Sequence, residues 1–115
     1  MVVLVCGSRD WTDDQAIFKR LSKLPDGTTV IHGACSGADS LAGKIAKKLG
    51  LVVKEFPANW TKYDKAAGPI RNSEMLSYGV DLVLAFHCDI TKSKGTLDMV
   101  NKAKKAGVPV IVFKN

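Results

Sequence analysis

The sequence predicts an α/β fold built on a five-stranded parallel sheet with helices on both faces. Short apolar runs alternate with stretches whose apolar residues recur at helical spacing. The apolar runs do not alternate with polar residues, which is typical of strands covered on both sides. Parallel neighbours need crossover connections, and these are usually helical and right-handed. A chain of 115 residues is long enough for one such domain, residues 1–115.

Five segments are predicted as strands because they are short, rich in β-branched and apolar residues, and bounded by glycine, proline or polar residues. They cover residues 2–6, 28–31, 51–56, a run from Val80 or Asp81 to 86, and 109–113. Residues 57–67 are polar and irregular in pattern, so we expect a loop there.

Four helices are predicted between these strands. The first follows a cap at Thr12 or Asp13 and ends before Pro25. The second has Ser36 as its expected cap, and the third has Pro69 in its first turn, where proline is tolerated. The last three cover about 37–49, 69–78 and 96–106.

The composition favours an anionic ligand. The formal net charge is +6, and a basic surface attracts phosphate groups at long range. Most of the lysines lie on helix-patterned segments, and no basic stripe interleaved with aromatic residues is present, so nucleic acid is the less favoured partner.

Other classes of protein are not indicated. No apolar run approaches the roughly 20 residues of a membrane span, and no secretory leader is evident, so a cytoplasmic location is expected. The cysteines, Cys6, Cys35 and Cys88, have neither CxxC spacing nor a nearby histidine pair. We therefore expect no disulfide framework, no metal site and no cofactor.

Three glycine-bearing loops follow the first, second and fourth predicted strands. The ends of parallel strands meet at one edge of a sheet, where helix N-termini offer free N–H groups to an anion. Arg9 is a candidate clamp for that anion, although a surface ion pair would also explain it. Asp39 suits either a ribose hydroxyl or the helix dipole, and Trp60 suits either base stacking or packing of its own loop. His32 and Cys35 are expected to have structural roles.

The residues expected to contact a ligand lie in these loops, in the 57–67 segment and at the start of the third helix. They are Gly7, Ser8, Arg9, Gly33, Ala34, Ser36, Gly37, Asp39, Trp60, Arg71, Asn72, Ser93, Lys94, Gly95 and Thr96.

Taken as a set, these motifs resemble the YspA/cpYpsA-related branch of the SLOG superfamily, which comprises small Rossmann-like proteins of bacteria and phages. The likeness rests on Gly7-Ser8-Arg9-Asp10-Trp11, on the 32–39 loop, on 57–60, on 66–72 and on 93–96. It implies a three-layer fold with strand order 3-2-1-4-5 and binding of a nucleotide or nucleotide-derived ligand.

The second half of the chain is also similar to the LOG phosphoribohydrolases, which release a base from nucleoside monophosphates. That similarity implies a catalytic position for Arg71 and a phosphate-binding role for Gly95 and Thr96. Met99, however, stands where those enzymes have a glutamate, and methionine can neither handle a proton nor stabilise positive charge. The neighbouring Asp98 would have to substitute, although it points about 100° away on a helix.

Three functional hypotheses follow. The first is a domain that binds a nucleotide-derived ligand for sensing or sequestration, and the second is a hydrolase acting through Arg71 and Asp98. The third is a DNA-binding module like the core of DNA-processing protein A, to which the superfamily resemblance extends. A homodimer is also expected, because the 69–78 helix carries Ile70, Met75, Leu76 and Tyr78.

Overall fold

Five parallel strands form one sheet in the order β3-β2-β1-β4-β5, as the resemblance implies. The structure is a computed structural model, and it describes residues 1–114. The strands are β1 Val2–Gly7, β2 Thr29–His32, β3 Val52–Glu55, β4 Leu82–Phe86 and β5 Val110–Phe113.

Helices cover both faces of this sheet. They are α1 Asp14–Leu21, α2 Ala38–Lys48, α3 Trp60–Tyr63, α4 Ala67–Ser77 and α5 Lys94–Lys105, with single 3₁₀ turns at Asp64–Ala66 and Ile90–Lys92. The four longer helices match the four predicted ones, and α3 with its 3₁₀ turn lies in the segment that was predicted as loop.

The core has two layers because successive strand residues point to opposite faces. Val3, Val5 and Phe86 pack with α1 and α2 on one face. Leu4, Cys6 and Ala85 pack with α4 and α5 on the other. Parallel strands buried on both faces explain why the apolar runs do not alternate.

The capping residues of α1 and α2 confirm one expectation and contradict the other. Asp13, one of the two candidates, caps α1 by accepting from the N–H of Ala16 at 3.2 Å. The prediction that Ser36 caps α2 is wrong, because Gly37 holds that position with φ +73° and its side chain offers no acceptor. The Ser36 hydroxyl instead donates to the carbonyl of Arg9 at 3.3 Å.

Three helix boundaries lie two to three residues from their predicted places. Helix α1 ends at Leu21, before the predicted Leu24, and closes in tight turns towards Pro25. Helix α4 begins at Ala67, which leaves Pro69 in the first turn, where a missing N–H removes no helical bond. Helix α5 begins at Lys94, because the hydroxyl of Ser93 accepts from the N–H of Thr96 at 3.3 Å.

Within residues 1–114, no helix combines the length and apolar character needed to cross a membrane. The cysteines are unpaired thiols: Cys6 is buried, Cys35 partly buried and Cys88 exposed.

Phe86 provides a test of the packing on the α1 and α2 face. Its ring stacks on Phe113 with centroids 4.8 Å apart and meets the edge of Trp11 at 5.6 Å. Phe86→Ala should lower the free energy of unfolding by about 3–5 kcal/mol, because the emptied space cannot fully collapse.

Phe18→Ala is the matched control, because the Phe18 side chain is half exposed on α1. It should change the free energy of unfolding by no more than about 0.5 kcal/mol. Urea unfolding measures both variants, and equal losses would contradict the assignment of Phe86 to the core.

Candidate functional site

A cleft of about 370 Å³ lies at the C-terminal ends of β1 and β4. Its walls come from the loop after β1, from Cys35 and Asp39 at the start of α2, from α4, and from the first turn of α5. The lining residues are Cys6, Gly7, Ser8, Arg9, Asp10, Cys35, Asp39, Arg71, Asn72, Met75, His87, Ser93, Lys94, Gly95 and Thr96.

The first turn of α5 forms the cationic wall of the cleft. Ser93 caps the helix, and within residues 1–114 no carbonyl accepts from the N–H groups of Lys94 and Gly95. Lys94 is exposed, and a methyl group added at Gly95 would meet no other atom within 4 Å. Two N–H groups without a protein acceptor, the positive end of a helix dipole and a lysine therefore lie on this wall of the cleft, which suits a phosphate group.

The start of α2 is not a comparable anion site. The carbonyl of Ser8 accepts from the N–H of Ala38 at 3.0 Å, and the carbonyl of Cys35 accepts from the N–H of Ser40 at 3.1 Å. A Cβ at Gly37 would collide with the backbone of Ser8 and Arg9. Glycine at this position therefore lets two loops pack against each other.

Arg71 is a buried residue of α4 whose hydrogen bonds link this helix to the ends of β2 and β3. Its Nη1 donates to the carbonyl of Gly33 at 2.6 Å and more weakly to the carbonyl of Phe56 at 3.5 Å. Its Nε donates to the amide oxygen of Asn72 at 3.0 Å. A Cβ at Gly33 would overlap the guanidinium, so this glycine makes room for the arginine.

Asn72 continues these hydrogen bonds to α5. Its amide nitrogen donates to the carbonyl of Gly95 at 3.2 Å and to the carboxylate of Asp98 at 3.0 Å. The hydrogen bonds of Arg71 and Asn72 thus connect the β2 end to the anion-facing turn of α5.

Asp39 holds the turn after β2. Its Oδ2 accepts from the N–H of Gly33 at 3.0 Å and from the N–H of Cys35 at 3.4 Å. Burial raises the pKa of this carboxyl to about 6, although both hydrogen bonds and the charges of Arg71 and Arg9 act to lower it. Because Oδ2 is occupied by these two N–H groups, the predicted hydrogen bond between Asp39 and a sugar hydroxyl remains a prediction for Oδ1 alone.

His87 is a cleft residue that the sequence reasoning missed. Its Nδ1 accepts from the N–H of Asp89 at 2.9 Å, so the neutral ring carries its proton on Nε2. The signal was its position directly after the apolar run of β4. A buried donor at that place adds a hydrogen-bonding group to the cleft.

The floor of the cleft is apolar. Cys6 and Met75 are buried in the α4 and α5 layer of the core and also line the cleft. Burial raises the pKa of the Cys6 thiol, followed by the charge of Asp39, so the thiol is neutral. Neither residue was predicted as part of the site.

Ten of the fifteen predicted contact residues line the cleft, and five do not. Gly33, Ala34, Ser36 and Gly37 belong to the turn and cap behind it, and Trp60 lies on α3. The indole is about half exposed and stands over Gly68, 3.5 Å from where a Cβ would be. Base stacking by Trp60 remains a prediction.

The two α5 positions that bear on hydrolysis, Met99 and Asp98, do not line the cleft, whereas Arg71 does. Met99 is fully buried in the core. The carboxylate of Asp98 accepts from Asn72 and forms an ion pair with Lys102 at 3.0 Å. Neither is among the lining residues, so the arrangement brings no carboxylate of α5 to a ligand.

Comparison with known families gives a match over residues 1–63 to the model described as "YspA, cpYpsA-related SLOG family". The Gene 61 protein of Mycobacterium phage D29 is 36% identical over 120 aligned residues, which cover 96% of this chain and 94% of that protein.

Two solved structures share the fold. DNA processing protein A from Streptococcus pneumoniae aligns with a TM-score of 0.55 and 16% identity over 97% of this chain. An NADH-dependent reductase, A1-R', complexed with NAD, aligns with a TM-score of 0.52 and 15% identity over 96% of this chain. The chain spans somewhat more than half of each of these structures, 58% and 57%.

Arg71→Ala should destabilise the protein, because the arginine is buried and hydrogen-bonded. The change leaves the buried carbonyl of Gly33 and the amide of Asn72 without their partner, at a cost of about 2–3 kcal/mol. Arg9→Ala is the control, because Arg9 is exposed and lines the same cleft. Urea unfolding in which both variants behave like the parent would contradict the structural role.

The carboxyl of Asp39 should make stability depend on pH. Its pKa rises from an ordinary 3.8 to about 6, so between these values the folded protein holds a proton that the unfolded chain has released. The free energy of unfolding therefore falls as pH rises from about 4 to about 6, by about 3 kcal/mol at most.

Asp39→Asn keeps an oxygen for the two N–H groups and removes the titration. Subtracting its unfolding free energy from that of the parent, measured in urea at a series of pH values, should isolate this slope. A difference that stays constant across the range would contradict the raised pKa.

Proposed function

We propose that this chain, which belongs to the YspA, cpYpsA-related SLOG family, binds a nucleotide or nucleotide-derived ligand through its phosphate. The observation that carries the proposal is the first turn of α5, where free N–H groups of Lys94 and Gly95 face the cleft beside the ammonium of Lys94. Helix N-termini with this chemistry are ready anion sites.

The rest of the cleft supports the same ligand class. Arg9 and Ser8 lie on the wall supplied by the β1–α1 loop, and His87 contributes a further donor. The apolar floor of Cys6 and Met75 offers a surface for an uncharged part of the ligand. A volume of about 370 Å³ lies within the range of small-molecule sites, roughly 300–1,000 Å³.

Asp39 makes the α2 side of the cleft less favourable for an anion than the α5 side. A carboxylate repels a phosphate, so the phosphate belongs at the α5 side and the sugar or base at the α2 side. Protonation of Asp39 near pH 6 removes that repulsion, so an anionic ligand should bind more tightly as the pH falls.

Hydrolysis of a glycosidic bond is the less favoured alternative. It requires a carboxylate at the reacting carbon or the leaving group, and the α5 candidate, Asp98, is held by Asn72 and Lys102 away from the cleft. Of the carboxylates that line the cleft, Asp39 already accepts from two N–H groups, and Asp10 is exposed on the β1–α1 loop. Binding for sensing or sequestration needs no such group.

DNA binding is also less favoured. The solved neighbour that is a DNA processing protein shares the fold at 16% identity, which carries no function to this chain. Several lysines of α2 and α5 are exposed on the outer helix faces, where charge is ordinary.

The expected homodimer has less support from α4 than its sequence suggests. Met75 is 2% exposed and belongs to the core, whereas Tyr78 is exposed near the edge strand β3. Two-fold association remains our proposal, and light scattering of Tyr78→Lys tests it.

An exposed thiol at Cys88 suits the reducing cytoplasm, where we propose that the protein works.

Lys94→Gln and Arg9→Gln should each weaken binding of adenosine or guanosine monophosphate in calorimetry. Removing a charge-assisted hydrogen bond costs about 1.5–3 kcal/mol, or roughly ten- to a hundredfold in affinity. Both side chains are exposed, so the fold should be unaffected.

Lys92→Gln is the matched control, because Lys92 is exposed two residues before Lys94 and does not line the cleft. The nuclear magnetic resonance signals of the Gly95 and Thr96 amides should shift on titration. Affinity unchanged in both cleft variants would end the proposal, and enzyme-dependent release of free base would favour the hydrolase.

A further inference from the structure

A second cavity, of about 340 Å³, lies between α2 and the ends of β2 and β3. It shares Cys35 with the cleft and is otherwise lined by different residues, among them His32, Ser40, Lys44, Lys47 and Glu55. Nothing in the proposed function uses it.

His32 is the unusual member of this cavity. It is only 2% exposed, and its Nδ1 accepts from the N–H of Ala34 at 3.0 Å. The opposite nitrogen, Nε2, is buried and has no hydrogen-bond partner among residues 1–114. Glu55 is the nearest acid, with an oxygen 3.9 Å from Nε2, which is too far for a hydrogen bond.

The hydrogen bond at Nδ1 decides what Nε2 can do. A nitrogen that accepts an N–H has no proton of its own, so the neutral ring carries its proton on Nε2. Burial lowers the pKa of His32, which keeps the ring neutral. Nε2 is therefore a donor that needs an acceptor, and it cannot ligate a metal ion without losing that proton.

Gly43 lets helix α2 pack closely against this ring. A Cβ at position 43 would lie 2.7 Å from Nε2, so any other residue would press on the ring. An unmet buried donor is costly, and such groups in native proteins call for a partner.

The charges around the cavity indicate which class of ligand can accept from the Nε2–H of His32. Lys44 and Lys47 are exposed on α2, and neither forms an ion pair within 4.0 Å with a described acid. Ser40 adds a hydroxyl group at the same wall, whereas the hydroxyl of Ser36 already donates to the carbonyl of Arg9. Glu55 is the one carboxylate among the lining residues, so positive charge and donors predominate.

We propose that this cavity is a second anion site, which binds a phosphate-type oxyanion between the Nε2–H of His32 and the ammonium groups of Lys44 and Lys47. Glu55 stands beside the same position and competes with the anion by repulsion. The site is independent of the α5 turn, so it can be filled whether or not the cleft holds a ligand.

Titration of the full chain with inorganic phosphate, followed by nitrogen-15 resonance of the His32 ring and of the backbone amides, tests the proposal. The Nε2–H signal of His32 and the amide of Ser40 should shift together and saturate. The amides of Gly95 and Thr96 report the cleft separately. Lys94→Gln should abolish or weaken only their response, so failure of one site is distinguishable from failure of the other.

Variants that remove a positive or a negative charge should change phosphate affinity at the second site in opposite directions. Lys44→Gln and Lys47→Gln should each weaken phosphate binding there by about two- to fivefold, the scale of an exposed ionic contact. Glu55→Gln should tighten it by a similar factor. Lys48→Gln is the matched control, because Lys48 is exposed on the same helix and does not line this cavity.

A direct probe of the donor is His32→Asn. The asparagine oxygen can still accept from the N–H of Ala34, and the Nε2–H is lost, so the Ser40 response should disappear while the Gly95 response persists. Absence of a saturable shift at His32 in the parent protein would overturn the proposal. A shift that ignores all three charge variants would also overturn it.

Discussion

The hydrogen bond from Arg71 to the carbonyl of Gly33 is the contact on which the site depends. It is short, at 2.6 Å, and joins helix α4 to the end of β2, two elements that are 38 residues apart in sequence. The same guanidinium holds Asn72, and Asn72 holds the carbonyl of Gly95 in α5. The anion-facing turn of α5 is therefore connected to the end of β2 by this relay of hydrogen bonds.

The relay also explains the charge pattern of the cleft. Asp39 is buried close to Arg71, and two backbone N–H groups and two guanidinium charges favour its ionised form. Burial outweighs them, since the pKa lies near 6. Arg71 therefore serves Asp39 and the backbone of the turn, whereas Lys94 and Arg9, both exposed, remain available to a ligand.

The sequence predicted the sheet order through a family resemblance, and the strands and longer helices through periodicity. The site was harder, because glycines that approach a phosphate and glycines that approach protein look alike in sequence. Gly33 accommodates the guanidinium of Arg71, and Gly37 accommodates the backbone of Ser8 and Arg9. Only the three-dimensional path of the chain separates these cases. Among the four glycines predicted to contact a ligand, Gly95 is the one with open space beside it.

His32 and His87 follow the same local rule and meet different surroundings. Each stands at the end of a strand and accepts, through Nδ1, from the N–H two residues further along. That bond leaves Nε2 as a donor in the neutral ring, so neither histidine can take a proton from a substrate through Nε2 while it remains in this state. In the cleft, the carboxylate of Asp39 is already accepting from two N–H groups. Asp10 in the cleft and Glu55 in the second cavity are exposed carboxylates, but in both cavities the cationic side chains outnumber the carboxylates. This arrangement favours holding an oxyanion over breaking a bond.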